Sequence, residues 1–364
     1  MAIASAGLTL VLLVAKFVHR QALRVSGVRS AHYVASIGEL VSRGILPTRL
    51  PSGWARDPLF HDALADYRLL LTGKERRFVD ELATAAGIPP ILVARTRRRF
   101  PKSARLRALG CLVDLATPAQ INHLRALLAD GDAHVRIHAI RGLARLNDTQ
   151  SIPFMLELAT RARPWEAARL ADALVDMGSD GVPAIQEWIN SQLQDQDPAE
   201  EVVALAARVL GLIGDPTAEA TLLALLRSDR AAWKVAAASS LEQTGGTESI
   251  EALLDALDDR EWRVRARAVV ALGAMAEPRL GRPISALLYD PSWWVRQNAA
   301  SALSSIPGGD DHLLAAVRGP DPYAADAALN QLTVAGVLAV AVDRVRSGSA
   351  TARDHQLADV ASSS

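Results

Sequence analysis

A unit of about thirty residues recurs in phase along this chain, and that repeat length limits the fold before composition does. Residues 258–277 read DDREWRVRARAVVALGAMAE, and a shift of 31 residues lands on YDPSWWVRQNAASALSSIPG at 289–308. A shift of 31 the other way lands on RSDRAAWKVAAASSLEQTGG at 227–246. In each copy a basic residue is followed by Ala three positions on and Leu seven positions on. The sets are Arg136, Ala139, Leu143; Lys234, Ala237, Leu241; Arg265, Ala268, Leu272; and Arg296, Ala299, Leu303. Residues three, four and seven apart share one helix face, so each copy holds a helix with a single apolar stripe.

The frame extends over most of the chain. Equivalent positions fall at Arg105, Arg136, Ala167, Val203, Lys234, Arg265, Arg296 and about Ala325, with one long step of 36 residues between Ala167 and Val203. A second apolar segment follows each first one, for example at 121–128, 152–158, 220–226 and 250–257. Gly178, Gly214-Asp215-Pro216 and Pro307-Gly308-Gly309 separate the two. One such pair cannot bury its own stripe, so pairs must stack. The expected fold is all-α, an α-solenoid of about eight helical pairs with an N-terminal membrane helix and a helical cap.

The expected organisation is an anchor helix over 1–20, a basic juxtamembrane helix and linker over 21–56, and a helical cap over 57–100. The solenoid follows over 101–346, then a disordered tail over 347–364. The anchor rests on Ala2–Val18, seventeen residues interrupted only by Lys16, near the short limit for spanning a bilayer. Its flank carries Lys16, His19, Arg20, Arg24 and Arg29. Positive charge on that side places the rest of the chain in the cytoplasm. A removed signal and a soluble docking helix are the competing readings. Tyr33–Leu46 reads as an amphipathic helix. Asp57-Pro58 reads as an N-cap with proline at the first helical position, and Thr72–Glu75 as a capping box.

Formal net charge is zero, yet residues 1–107 carry 18 Lys and Arg against 7 Asp and Glu, and the remainder is acidic. The basic half is the one suited to phosphates. Arg95, Arg97, Arg98, Arg99, Lys102, Arg105 and Arg107 crowd one short stretch, read as a continuation of the third cap helix and a candidate grip on anionic lipid head groups. A solvated basic helix is the plain alternative. No recognised nucleic-acid motif appears and the array is acidic, so nucleic acid is not the expected partner. Cys111 is the one cysteine; it lies on the apolar side of the first repeat helix and reads as a buried thiol. His134 and His138 share a helix face, but no acidic third ligand accompanies them. No nucleophile elbow, phosphate-loop glycine pattern or cysteine pair is present. The sequence therefore calls for no cofactor, no metal and no catalytic residue.

Asp130/Arg136, Asp259/Arg265 and Asp290/Arg296 share a spacing of six. That spacing, in phase, resembles the HEAT repeat in the short bacterial form similar to phycobilisome-lyase repeats. The resemblance covers about residues 101–345. It implies that these six side chains form a structural ladder, each Arg meeting acceptors in its own repeat and the next. The order of a short membrane segment, a basic helical region and then repeats resembles uncharacterised bacterial membrane HEAT proteins, some associated with membrane glycosyltransferases. The implied function is a single-pass, inner-membrane scaffold that binds a protein partner and is not an enzyme. The enzyme alternatives carried by the repeat type are a lyase and a nucleic-acid glycosylase. No His-Glu dipeptide occurs, so the di-iron hydroxylases of this repeat class are not matched.

One feature remains outside the stripe. Trp262 and Trp293 lie three residues before Arg265 and Arg296, with Trp294 beside the second and Tyr323 near the same place in the last unit. Stacked repeats set these about 10 Å apart, in a row along one edge. The plain reading is a cover over the joints between repeats. The sharper reading is a partner-binding surface, since Trp beside Arg is the composition of interface hot spots.

Overall fold

In a computed structural model the described residues are 27–244 and 246–363, and among them there is no β-strand. Helix α1 spans 27–43. It docks on α2 (Pro58–Leu70) by burying Tyr33 and Ile37 and by edge contact of the Tyr33 ring with Phe60. The Tyr33 hydroxyl donates to Asp57, 2.6 Å away, whose other oxygen caps α2 at Leu59 N–H. The segment expected to be a juxtamembrane helix and linker is thus packed into the cap.

Next come α3 (Gly73–Ala85), α4 (Ile88–Arg95) and α5 (Lys102–Leu115). The capping box at Thr72 does not form: its side chain makes no cap bond, because Gly73 enters the helix with φ +62°. Nor is the basic stretch one helix. Helix α4 stops at Arg95, Thr96 folds its hydroxyl back to the Val93 carbonyl, and Pro101 sets the entry to α5. Residues 97–101 form a turn between them, since proline lacks the N–H a continuing helix needs.

From here the chain alternates two helices per repeat. The first helices are α5, α7 (Ala133–Arg145), α9 (Pro164–Asp176), α11 (Glu200–Ile213), α13 (Ala231–Thr244), α15 (Trp262–Met275), α17 (Trp293–Ser305) and α19 (Pro322–Val334). The second helices are α6 (Ile121–Leu127), α8 (Ile152–Ala159), α10 (Val182–Leu193), α12 (Glu219–Leu226), α14 (Thr247–Asp255), α16 (Gly281–Ala286), α18 (Gly309–Val317) and α20 (Val337–Ser347).

The described residues fall into two compact units. The first runs to Ser151 and includes Pro164–Asp176; the second is Ile152–Arg163 and everything from Met177. Within the first, α5, α7 and α9 lie side by side. Within the second, α11, α13, α15, α17 and α19 do the same, and the second helices pack against them, α12 on α13, α14 on α15, α16 on α17 and α18 on α19. The stripe read from the repeat is the core: Leu241, Leu272 and Leu303 are fully buried, as are Ala237, Ala268 and Ala299. Each buried leucine contributes about 2 kcal/mol. Small residues let these helices approach closely. A Cβ on Gly211 would lie 2.6 Å from Ser240, and one on Gly273 would lie 2.5 Å from Ala302.

The C-terminal residues are not disordered. Helix α21 (Ala352–Ser363) packs on α20 with Leu357 buried. Asp354 accepts from the Thr351 N–H at 2.8 Å and from Arg344 at 3.2 Å, and Arg353 pairs with Asp310 and Asp311. A single apolar anchor and paired charges suffice because α20 offers a ready face. Among the described residues no single helix is long and apolar enough to cross a membrane. The apolar segment 2–18 lies outside the described residues.

Candidate functional site

The turn before each laddered first helix positions an acidic side chain two residues ahead of the N-cap. Asp259 and Asp290 each accept from a backbone N–H of their own turn, Glu261 at 2.8 Å and Ser292 at 2.7 Å, and Asp130 does the same for Asp132 at 2.9 Å. The cation six residues on returns to that turn. Arg136, Arg265 and Arg296 donate Nη1 to the carbonyls of Asp130, Asp259 and Asp290 at 3.0, 2.8 and 2.8 Å. Arg136 and Arg265 then reach into the next repeat. Arg265 holds both oxygens of Asp290 through Nε (2.7 Å) and Nη2 (2.9 Å). Both partners are largely buried, and the hydrogen bonds that Arg265 donates to Asp290 raise its pKa above the ordinary value despite that burial. A bidentate, charge-assisted pair of this kind fixes register as well as adding energy.

Three ladder members escaped the spacing rule. Arg105 donates to Asp130 at 2.9 Å and Lys234 to Asp259 at 2.6 Å. Both stand at the frame position, but their own repeats lack the acid six residues before. Arg136 finds Glu166 of α9, a buried acid on the helix itself and not in the turn. Nothing in a fixed spacing could have pointed to Glu166. Burial works against ionisation of Asp259, but the bonds from Lys234 and the Glu261 N–H outweigh it and hold the pKa below the usual carboxylate range.

Arg105 therefore leaves the basic cluster: its guanidinium is buried against Asp130 and Thr96. Arg95 donates to the Arg56 carbonyl, Lys102 pairs with Asp132 at 2.6 Å, and Arg107 stands 3.9 Å from Asp62. Arg97, Arg98 and Arg99 are exposed together on the turn, with Arg98 Nε 3.9 Å from Asp130. Arg95, Arg107, His61, Phe100 and Cys111 border a cleft of about 420 Å³ in the first unit. Burial, then the bond to Asp62, pushes the Cys111 thiol far up, so it is no nucleophile, and burial lowers the His61 pKa. His134 lies against the Trp165 ring, 5.4 Å away. Burial lowers the His138 pKa, and no metal-binding cluster is present among the described residues.

The aromatic row is mixed. Trp293 is 50% exposed, Trp294 58% and Tyr323 68%, while Trp262 is half-buried under Arg263, whose Cζ lies 4.9 Å from the ring. Trp293 and Trp294 meet edge to face at 4.7 Å. Tyr289, not singled out by the repeat, is also half exposed. Trp233 shows the other outcome. It stands two residues deeper into its helix than Trp262 does, is buried, and donates Nε1 to the Glu200 carbonyl at 3.1 Å.

Stacked helix pairs cemented by an acid–base ladder define a helical-repeat protein. A family model of HEAT repeats matches residues 89–175, 185–273 and 250–333. That is more than half of the chain, which belongs to the HEAT-repeat family. It is 30% identical over 168 residues to the phycocyanobilin lyase subunit beta of Nostoc sp. strain PCC 7120, covering 42% of this chain and 81% of that protein. It is 30% identical over 154 residues to the same subunit of Pseudanabaena tenuis, covering 38% of this chain and 52% of that one. Among solved structures, importin beta aligns over 83% of this chain and 46% of its own length, at 13% identity and a TM-score of 0.46. Human deoxyhypusine hydroxylase aligns over 72% of this chain and 98% of its own length, at 20% identity and a TM-score of 0.29. Structural likenesses of this size say nothing of function.

Proposed function

We propose that this chain is a cytoplasm-facing scaffold, tethered to a bacterial inner membrane by its first residues, that holds a protein partner and does not catalyse a reaction. The observation that carries the reading is the exposure of Trp293, Trp294 and Tyr323 at the starts of neighbouring helices. Large aromatics at that exposure, beside arginine, have the composition of an interface centre. Tethering is supported by the apolar segment 2–18 and the basic residues after it. A membrane enzyme such as a glycosyltransferase is the partner class we favour.

Crosslinking in native membranes and pull-down would deliver the partner for measurement. Trp262→Ala combined with Trp293→Ala should then weaken its binding by about 2 kcal/mol or more, with helical signal and cooperative unfolding retained. Unfolding before loss of binding would make the row packing. A reporter fused after Ser364 should be active inside the cell. Arg97, Arg98 and Arg99 give the tether a second contact with anionic lipid. Neutralising all three should weaken binding to anionic vesicles by about 1 kcal/mol per charge, and salt should abolish the difference.

A second reading, a bilin lyase subunit, is favoured by the similarity to phycocyanobilin lyase subunit beta. Incubation with phycocyanobilin tests it: tight, stoichiometric binding with a shifted absorption band would replace the scaffold reading.

A further inference from the structure

Four cations at the ladder position hold a carboxylate of the next repeat: Arg105, Arg136, Lys234 and Arg265. Arg296 does not. Its Nη1 bonds the carbonyls of Asp290 and Pro291, at 2.8 and 3.1 Å, much as Arg265 Nη1 bonds those of Asp259 and Arg260. The edge formed by Nε and Nη2, which on Arg265 grips both oxygens of Asp290, holds no carboxylate on Arg296. Its Nε is buried without a hydrogen-bond partner, as is that of Arg136, which nevertheless holds Glu166 through Nη2.

The backbone identifies the position that would have supplied the acid. In each laddered turn the acceptor residue donates its N–H three residues back: Asp130 to Leu127 at 3.1 Å, Asp259 to Ala256 at 3.3 Å, Asp290 to Leu287 at 3.2 Å. Each stands two residues before an N-cap. Gly319 makes the same bond to Ala316 at 3.0 Å and stands two residues before the N-cap Asp321. Glycine therefore occupies the acceptor position. Asp321 does not take the place: it is the N-cap, its Oδ1 accepting from the N–H groups of Tyr323 and Ala324, both at 2.9 Å, and it forms no ion pair with Arg296.

The surroundings are those of a docking point. The Arg296 guanidinium lies 5.2 Å from the centre of the exposed Tyr323 ring. Trp293 and Trp294 open the same helix as Arg296, and the Tyr289 hydroxyl borders the empty acceptor position. We propose that a partner completes the ladder here. An Asp or Glu side chain in an extended segment of that partner pairs with Arg296 where Gly319 offers nothing, and the apolar residues beside it lie on the Trp293, Trp294 and Tyr323 rings. A part-buried guanidinium that holds no carboxylate gains from one, and the planar fork matches it. The inference rests on the scaffold reading and names the chemistry of its partner.

The test uses the full chain in detergent and a displayed library of random linear peptides, with Gly319→Asp as the decisive variant. A Cβ at 319 would meet the Ala316 carbonyl at 3.2 Å, a contact requiring only a small shift, and φ is not in the left-handed region. The new carboxylate would close the ladder from within. Selected peptides should contain an acid between apolar residues. They should bind Gly319→Asp and Arg296→Gln about tenfold or more weakly, and exchange of their acid for the amide should cost the same. The melting temperature of Gly319→Asp should hold or rise; if it falls, Arg296→Gln decides alone. Peptides that need the tryptophans but bind these variants and the wild type equally would overturn the proposed carboxylate and leave the scaffold reading standing. Peptides indifferent to Trp293→Ala, Trp294→Ala and Arg296→Gln alike would overturn both.

Discussion

Two junctions in the second unit share a close approach at a glycine and differ in what accompanies it. Between α15 and α17 Gly273 lets Ala302 approach closely, and Arg265 adds its grip on Asp290, with both partners shielded from water. Between α11 and α13 the frame position is Val203, which is buried and has no charge to offer. There a similar close approach stands without a ladder pair at the frame position. Gly211 lets α13 approach, Ser240 donates to the Ala207 carbonyl at 2.9 Å, and Trp233 reaches across to Glu200. The comparison teaches that the repeat specifies a spacing between helices and not a particular bond. A glycine seam carries that spacing with a ladder pair beside it or without one, and the two junctions fail differently when disturbed.

The largest effect should come from breaking the polar junction. Arg265→Ala leaves a buried carboxylate without its cation and should destabilise the second unit by about 3 kcal/mol, read from denaturant unfolding. A loss of partner binding with unchanged stability would instead make Arg265 a contact residue. At the apolar junction, Gly211→Val forces a branched side chain into Ser240 and should cost about 2 kcal/mol. The same change at a surface glycine with open space around it, such as Gly131, should cost far less. If Gly211→Val is tolerated, the seam is not what holds α11 to α13.

Acid tests a third junction, between α13 and α15, with the smallest effect. Asp259 is ionised more readily in the folded chain than in the unfolded one, chiefly through Lys234 once burial is overcome. A depressed carboxylate contributes stability above its unfolded pKa of about 3.9 and loses it as pH falls through the folded value. Wild-type stability should therefore drop below about pH 4. Asp259→Asn should be less stable at neutral pH and show a shallower acid arm. An unchanged acid arm in that variant would mean that other carboxylates set it.

What was legible in the chain was whatever repeats locally. The alternation of helices, the buried Ala and Leu positions, and the six-residue return of Arg136, Arg265 and Arg296 to their own turns follow from contacts within one repeat. A helix start signal was less secure: Asp57 caps α2, but Thr72 caps nothing once Gly73 takes a positive φ. The basic stretch at 95–107 looked continuous by composition, yet Pro101 divides it and Asp130 draws Arg105 inward. The tail was misread because its apolar content is low, and only the exposed face of α20 gives Leu357 somewhere to go.

By itself the sequence determined the architecture of helix pairs and the residues that fill their shared stripe, because the 3.6-residue period of a helix is a local property. The tertiary structure alone decided what each ladder cation meets across the junction: a bidentate Asp290 for Arg265, Glu166 for Arg136, and no acid at all for Arg296. It also decided that Trp233 is buried while Trp293 is open. The reason is physical. A side chain's partner in the next repeat depends on the register and separation of two helices, and these are set by the summed packing of every residue between them.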